Sequence, residues 1–345
     1  MQSTLKKPQR IVIYRLGSLG DTVVALPCFH KVAQVWPDAE RIVLTNFPVS
    51  SKAAPLEVIL REGGLIHEAI AYPVGTRSVG RLWLLATHLR SLNADVLVYL
   101  TPPRGLLNAF RDWLFFKFCG FKAIVGAPLS GDLQTCRQSG TDSDVVEREC
   151  ERLARCMHAL GPIDLDDPQM WNLRLTDPEL RAGSAVLTTL APAAYFAVNM
   201  GGKAKEKDWG AGNWRALLER LSEDYPDAGL LIIGAAEDSE RAQHVAAAWA
   251  GPVVDACGKL SPRESAAAMR HAVAFIGHDS GPLHLAAAEG VRCVGLFGNF
   301  NQPKRWHPRG NHHRIIHRMS GLHDITVAEV IDAVRDIVPR RQEYA

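Results

Sequence analysis

The feature that most limits the fold of this chain is an alternation of short β-branched runs with stretches of helical periodicity. Predicted strands in the first half cover 11–14, 42–45, 96–100 and 124–125. Predicted strands in the second half cover 196–200, 230–233, 253–256, 272–277 and 291–297. Strands separated by helices favour βαβ units with parallel sheets. Because 345 residues exceed the usual size of one core, the chain predicts an α/β fold with two doubly wound domains.

A proline- and acid-rich segment, GPIDLDDPQMWNLRLTDPE at 161–179, interrupts this alternation. We therefore expect an N-terminal domain at 1–165, a linker at 166–180 and a C-terminal domain at 181–345. The last helix is expected within the second domain, with packing back on the first domain as an alternative. Ligands of open α/β sheets sit beyond the carboxyl ends of the strands. Two such domains facing each other are expected to collect their functional loops at a cleft.

Charge and cysteine content exclude several classes of protein. The 39 basic and 37 acidic residues give a formal net charge of +2, which argues against a general nucleic-acid binder. The seven cysteines are odd in number and form no C-x-x-C pair, so neither a disulfide framework nor a zinc site is favoured. The chain has no signal-peptide pattern and no run of 18 apolar residues. We expect a cytoplasmic protein.

The segment IVIYRLGSLGDTVVALP at 11–27 has the pattern of a strand followed by a glycine loop. The loop offers only Gly17 and Gly20, whereas the dinucleotide fingerprint needs three glycines and the P-loop ends in Gly-Lys-Ser/Thr. Asp21 follows at once. A carboxylate is favourable at the start of a helix, yet it would repel the diphosphate that such loops usually hold. The residues alone leave the purpose of Asp21 open.

A second loop, DSGPLHLAAAEG at 279–290, has the pattern of an anion site. Pro282 fixes the start of a helix, which places Ser280 and Gly281 at its N-cap. Free backbone N–H groups and the helix dipole favour an anion there, and the Ser280 hydroxyl adds a donor. The alternative is an ordinary turn in which the serine only caps the helix. His284 is then a core histidine rather than a phosphate or sugar contact.

Two basic segments are candidates for anion contacts. GGKAKEKDWGAGNW at 201–214 follows a strand, so its three lysines can reach a phosphate, although a solvated lysine face is the alternative. PKRWHPRGNHHRIIHR at 303–318 contains no acid. Its histidines His312, His313 and His317 leave a metal site open and its basic residues leave nucleic acid open, but we favour a role in neutralising an anionic substrate. Within this segment the sequence RII predicts a β-strand.

The segment GLLNAFRDWLFFKFCGF at 105–121 places six aromatic residues around three charges. We expect a buried helix. The alternative is a partly exposed apolar surface that contacts a membrane, with Arg111, Lys117 and Lys122 meeting anionic head groups.

Three motifs in this order resemble glycosyltransferase family 9, the heptosyltransferases of lipopolysaccharide core assembly. They are RLGSLGDTVVALP, KDWGAGNWRALLERL and FIGHDSGPLHLAAAEGVRCVGLFGNFNQP, and VVERECERLARCMHALG at 145–161 also resembles that family. The resemblance implies the GT-B fold, an α/β architecture of two Rossmann-like domains facing across a cleft. It places the acceptor on the N-terminal domain and a nucleotide-sugar donor on the C-terminal domain.

The resemblance also implies roles for individual residues. The family's L-G-D aspartate falls on Asp21, which is expected to be the general base, and Gly17, Ser18 and Gly20 belong to the same acceptor-side loop. The residues expected to bind the donor are Lys207, Glu237, Asp279, Ser280, Gly281 and His284. Lys207 and the Ser280 turn are assigned to the diphosphate, and Glu237 to the sugar or ribose.

The function implied is inverting transfer of a heptose-type sugar, with ADP-heptose as donor and a hydroxyl of a glycolipid or saccharide, such as lipopolysaccharide inner core, as acceptor. No cofactor and no metal are expected. The protein is expected in the cytoplasm, with peripheral contact with the inner membrane left open, and no nucleic-acid partner is expected. The alternatives are a sugar-nucleotide epimerase, a family member with a different donor and a small-molecule acceptor, and a non-catalytic member. An NAD(P) oxidoreductase is disfavoured by the absent fingerprint.

Overall fold

The computed structural model describes residues 7–46, 55–76, 78–140, 144–190, 193–201 and 208–338. The chain divides into two compact units, Met1–Arg174 and Leu175–Ala345. This division falls inside 166–180, where the sequence predicts a linker. The same stretch contains a 3-10 helix, Pro168–Trp171, and the first residues of a helix that begins at Asp177.

The first unit is built on a parallel five-stranded sheet of order β3-β2-β1-β4-β5. Its strands are β1 Arg10–Tyr14, β2 Glu40–Thr45, β3 Glu68–Ala71, β4 Val96–Tyr99 and β5 Ala123–Val125. Its helices are α1 Leu19–Val24, α2 Leu26–Val35, α3 Leu56–Leu60, α4 Val79–Ser91, α5 Leu106–Phe118, α6 Gly131–Gln134 and α7 Glu149–Cys156. A 3-10 helix covers His158–Leu160.

The second unit is built on a parallel six-stranded sheet of order β11-β10-β9-β6-β7-β8. Its strands are β6 Tyr195–Asn199, β7 Gly229–Ile232, β8 Val253–Asp255, β9 Ala274–His278, β10 Cys293–Phe297 and β11 Arg314–His317. Its helices are α8 Asp177–Val186, α9 Ala211–Asp224, α10 Ser239–Ala246, α11 Pro262–Met269, α12 Gly281–Ala288 and α13 Val327–Ile337, with 3-10 helices at Ala236–Asp238 and Leu322–Asp324.

The two sheets share a strand order that fixes where a ligand can bind. The first strand of each unit, β1 or β6, lies between the second and the fourth strand of that unit. The chain therefore winds outward in both directions from this strand, and helices cover both faces. At such a switch point the loops beyond the strand ends diverge and leave a crevice. We call these places the β1/β4 junction and the β6/β9 junction.

The structure confirms the α/β fold and every strand predicted above, each to within two residues. Two features were not apparent from the sequence. After β7 the chain forms a 3-10 turn, Ala236–Asp238, before α10, which ends at Ala246. The edge strand β3 was not predicted, because its sequence EAIA has no β-branched run and is only half-buried.

The helices of the second unit begin at residues of the types that favour helix caps. Ser261 caps α11, where its Oγ accepts from the Glu264 N–H at 3.2 Å and its own N–H donates to the Glu264 carboxylate at 2.7 Å. The last helix, α13, packs in the core of the second unit, and its Arg335 pairs with Asp224 of α9 at 2.8 Å. Within the described residues, no helix combines the length and the apolar character that crossing a bilayer requires.

The expectation of a buried helix at 105–121 is wrong in its burial, although the helix itself, α5, is confirmed. Its charged residue Asp112 is 4% exposed, whereas Leu107 is 86% exposed. The helix is thus half-buried: Phe116 lies in the core, whereas Phe110 and Phe118 are exposed.

Candidate functional site

Asp21 lies in the first turn of α1, directly beyond the carboxyl end of β1. Ser18 is the N-cap of this helix. The Ser18 N–H and the Ser18 hydroxyl both donate to Asp21 Oδ2, at 2.6 and 2.7 Å. One oxygen of the carboxylate is thereby fixed, as in a capping box. None of the described residues donates a hydrogen bond to the other oxygen, Oδ1, so Asp21 can cap its helix and still offer an acceptor for a proton.

Gly17 is required by the geometry of this loop. Its φ of +146° is a conformation that residues with a side chain rarely adopt. A Cβ built on Gly17 would lie 2.6 Å from Asp21 Cβ, which is closer than carbon atoms can approach. The Gly17 N–H donates to Asn46 Oδ1 at 2.9 Å. Gly20 follows in the first turn of α1, so the predicted residues Gly17, Ser18, Gly20 and Asp21 do form one compact loop.

Arg15 is a residue of this loop that the sequence analysis did not single out. Its guanidinium is fully buried and donates to the carbonyl oxygens of Leu100, beyond β4, and of Asp21. It thereby joins the ends of β1 and β4 to the start of α1. Burial lowers the pKa of Arg15, while the carboxylates of Asp21 and Glu149 oppose that shift. The signal that could have found it is a basic residue directly after a buried strand.

Ser280 and Gly281 lie at the N-terminus of α12, beyond the carboxyl end of β9. Ser280 is the N-cap, and Pro282 stands in the first turn. The Ser280 hydroxyl donates to Asn199 Oδ1 at 3.1 Å, and Asn199 Nδ2 donates to the Ile233 carbonyl at 2.8 Å. Asn199 is the last residue of β6 and is 4% exposed. It therefore ties the ends of β6, β7 and β9 together at the β6/β9 junction.

Asp279 and His284 lie on either side of this turn. The Asp279 carboxylate accepts from Asn301 Nδ2 at 3.0 Å. Its negative charge suits hydroxyl groups better than phosphate. His284 lies on α12 and is 5% exposed, so it is mainly buried within the unit.

His278 closes β9 next to Asp279 and is a second residue that the sequence analysis missed. Its Nε2 accepts from the Trp209 N–H at 3.2 Å. Burial lowers the pKa of His278 to about 4, which leaves the ring neutral near pH 7. Trp209 is itself buried and donates from Nε1 to the Ile325 carbonyl at 2.7 Å. The residues just before α9 are thus anchored beside the Ser280 turn.

The lysine loop that precedes this anchor lies largely outside the described residues. This applies to Lys203, Lys205 and Lys207, which fall within 202–207. The next residue, Asp208, accepts two hydrogen bonds from Arg241, both at 2.6 Å. Burial alone would raise the pKa of Asp208, but the Arg241 bonds and the Gly210 N–H lower it.

Glu237 lies on the exposed 3-10 turn Ala236–Asp238, beyond β7. The neighbouring Asp238 accepts from the Ala235 N–H at 2.9 Å. A Cβ on Gly201, beyond β6, would overlap the Asp238 carboxylate. The turn that carries Glu237 is therefore packed directly against the end of β6, on the opposite side of that strand from the Ser280 turn.

The histidines of 303–318 do not converge on one point. His313 accepts from the Cys293 N–H at 3.2 Å and contacts the Arg309 carbonyl at 3.0 Å. His317 pairs with His307 instead, at 2.8 Å. The predicted strand RII is confirmed as β11. Among the described residues, no group of three His, Cys, Asp or Glu side chains is placed to hold a metal ion.

The predicted residues therefore fall into two groups, one in each unit. The first is the Gly17–Asp21 loop at the β1/β4 junction. The second comprises Asp279, Ser280 and Gly281 at the β6/β9 junction, with Glu237 beyond the next strand.

A model of glycosyltransferase family 9 (heptosyltransferase) matches residues 130–326, which is more than half of the chain. No curated protein sequence matches the chain.

Solved structures of low sequence identity share the whole fold. A family 9 glycosyl transferase from Veillonella parvula has a TM-score of 0.72 at 18% identity, with 95% of this chain and 97% of that chain covered. An ADP-heptose lipopolysaccharide heptosyltransferase II from E. coli has 0.67 at 19%, with 97% and 100% covered. A UDP-GlcNAc 2-epimerase from Methanocaldococcus jannaschii has 0.57 at 12%, with 96% and 93% covered. These similarities identify the fold as GT-B.

Proposed function

This chain belongs to glycosyltransferase family 9, and from that premise we propose that it transfers a heptose-type sugar from a nucleotide diphosphate to an acceptor hydroxyl, with inversion and without a metal. The proposed donor is ADP-heptose. The proposed acceptor is a glycolipid or saccharide such as lipopolysaccharide inner core. Glycosyltransferase activity follows from the family itself, whereas donor, acceptor and mechanism are our proposal.

The observation that best supports the proposal is that neighbouring residues fix the Asp21 carboxylate in one position. Ser18 fixes one carboxylate oxygen with two hydrogen bonds, Gly17 leaves the room that the side chain occupies, and no described residue donates to Oδ1. A carboxylate fixed at a strand end is suited to general-base catalysis.

In the proposed reaction Asp21 Oδ1 accepts the proton of the acceptor hydroxyl. The acceptor oxygen then bonds to the anomeric carbon as the bond from that carbon to the diphosphate oxygen breaks. The electron pair of that bond leaves with the nucleotide diphosphate. A single displacement of this kind inverts the anomeric configuration and needs no covalent enzyme intermediate.

The departing diphosphate is assigned to the β6/β9 junction. The N–H groups at the start of α12 and the positive end of its dipole favour an anion there. Lys207, which directly precedes Asp208 in the chain, is proposed to add a positive charge. Such donors stabilise charge that develops on a leaving group without the help of a metal ion.

Glu237 and Asp279 are proposed to bind hydroxyl groups of the donor rather than its phosphates, because both carry the same sign of charge as the diphosphate. Glu237 is exposed beyond β7, where a ribose or sugar hydroxyl is the fitting partner. His284 is nearly buried, so we propose that it supports donor binding indirectly, by holding the first turn of α12 in position.

Product analysis tests this function. The purified protein is incubated with ADP-heptose in the presence and absence of a heptose-free lipopolysaccharide core acceptor. We expect an acceptor that is heavier by one heptose, joined with inverted anomeric configuration, and release of ADP. An altered sugar nucleotide formed equally well without acceptor would instead indicate an epimerase.

A further inference from the structure

Helix α5 has apolar residues on both sides: Phe116 packs in the core of the unit, and a second apolar set faces outward. Leu107, Phe110, Leu114 and Phe118 recur at intervals of three or four residues and therefore form one stripe, and each is between 49% and 86% exposed. On the opposite side lies Asp112, whose carboxylate accepts from the Tyr99 hydroxyl at 3.0 Å inside the unit. A helix on the surface of a globular domain normally carries polar residues on its outward side.

Helix α4 extends this stripe. Its Val79, Trp83 and Leu84 are 80%, 57% and 70% exposed. The rings of Trp83 and Phe118 lie 6.1 Å apart, and the Arg90 guanidinium lies 4.2 Å above the Phe118 ring. Of the 13 large apolar side chains exposed in the described part of the chain, eight fall on α4 and α5. We call this surface the α4–α5 face.

The surroundings of the α4–α5 face carry a positive charge. Residues 79–122 contain six Lys or Arg and only two Asp, a formal charge of +4. Neither aspartate is available to repel an anion. Asp112 is buried and pairs with Arg111 at 2.7 Å, and Asp95 pairs with Lys122 at 2.9 Å.

We propose that the α4–α5 face docks on a membrane that contains anionic lipids. The apolar side chains would enter the boundary between head groups and acyl chains, where Trp and Phe are favourable, and the basic residues would meet lipid phosphates. This inference goes beyond the proposed function, since it needs neither donor nor acceptor chemistry.

Charge favours a lipid surface over a second copy of the chain. A twofold interface would set this face against itself, so that Arg90 and Lys117, which lie over the Phe118 and Trp113 rings, would approach their own copies. Like charges facing each other across an interface oppose association. An anionic membrane offers the complementary charge over the same area.

Vesicle binding by the full chain tests the proposal. Vesicles of phosphatidylcholine alone are compared with vesicles that also contain phosphatidylglycerol. The variant Leu84→Asp/Leu107→Asp changes two of the most exposed side chains, so little effect on folding is expected. Met319→Asp is the matched control, since Met319 is 51% exposed but lies in the other unit.

We expect the unaltered protein and Met319→Asp to bind the anionic vesicles, more weakly at high salt. The double variant should bind at least about tenfold more weakly with an unchanged melting temperature. The proposal is overturned if the unaltered protein does not bind anionic vesicles or if the double variant binds them equally well. It is also overturned if the double substitution only converts a dimer into a monomer.

Discussion

The two junctions share one strand order and differ in chemistry. At the β1/β4 junction a buried guanidinium, Arg15, joins the strand ends and contacts the loop that carries the Asp21 carboxylate. At the β6/β9 junction a neutral amide, Asn199, makes the equivalent connection to Ile233 and Ser280. The side chain that connects the strand ends is therefore a buried cation at the first junction and a neutral amide at the second, where the Asp279 carboxylate is bound by Asn301.

This difference shows how one architecture can serve two ligands. A carboxylate can remove a proton from an alcohol but repels a diphosphate. At the second junction the N–H groups at the start of α12 and the helix dipole supply a positive potential that suits the diphosphate, while the Asp279 carboxylate is bound by Asn301. We infer that the strand order specifies where each unit binds and that the junction residues specify what it binds.

The largest expected effect is on the base. Asp21→Asn keeps the size of the side chain and an oxygen that can accept from Ser18, but it cannot take up a proton. Transfer measured in a single turnover should slow by at least roughly a hundredfold, the lower end for loss of a general base. Ser18→Ala, which keeps the carboxylate and removes one of its two hydrogen bonds, is the control and should cost less than about tenfold. Near-normal transfer by Asp21→Asn would make Asp21 a structural cap.

Acid should disturb the second junction through His278. The pKa of this buried ring is lowered to about 4 from 6.5, so the folded state resists protonation more than the unfolded state does. Its contribution to stability is present above pH 6.5 and is lost as the pH falls toward 4, by up to about 3 kcal/mol. His278→Gln keeps an acceptor for the Trp209 N–H and cannot titrate. The difference between the two unfolding free energies should change across this window, and a constant difference would contradict the prediction.

A smaller effect is expected from the Ser280 hydroxyl. Ser280→Ala removes one neutral hydrogen bond, which typically contributes about 0.5–1.5 kcal/mol, so ADP should bind roughly 2- to 13-fold more weakly. Ser261→Ala is a matched control, because Ser261 also caps a helix that has proline in its first turn. Calorimetric titration should show a loss for Ser280→Ala alone, whereas equal losses would indicate a general effect of cap removal.

No effect at all is expected from removing divalent metals, because the proposal assigns the diphosphate charge to Lys207 and the start of α12. Transfer in excess chelator should proceed at the rate seen in its absence. If transfer is lost in chelator and recovered on adding magnesium, a metal ion neutralises part of the diphosphate charge. The second junction would then not bind the diphosphate by N–H groups and lysine alone.

The sequence was sufficient to predict every strand except β3 and the position of the functional loops. Runs such as IVIY and VLVY are typical of buried parallel strands, and Pro282 placed the start of α12 correctly. Motif resemblance then singled out Asp21 and Ser280. These features are local in the chain, which is why they could be read without a structure.

The residues that hold the junctions could not be predicted, because their partners are distant in the chain. Arg15 meets Leu100 85 positions away, and Asn199 meets Ser280 81 positions away. Each is simply one polar residue at the end of an apolar run. Only the strand order makes them neighbours of a functional loop.

The orientation of α5 was mispredicted for a related reason. The helix has apolar residues on both sides, so composition favours burial. Its inward side contains Phe116 together with Asp112, which Tyr99 and Arg104 bind from outside the helix at 3.0 and 3.3 Å. A buried charge with partners on other elements leaves no periodic signal in the sequence.

We propose that the first junction supplies the base and the second binds the donor. The most direct test is to measure the dissociation constant of ADP for Asp21→Asn and Lys207→Ala side by side. Loss of a charged contact should weaken binding to Lys207→Ala by about 1.5–3 kcal/mol, or roughly 10- to 160-fold. Asp21→Asn should bind ADP with the affinity of the unaltered protein. Weakened binding by Asp21→Asn, or unchanged binding by Lys207→Ala, would contradict the account.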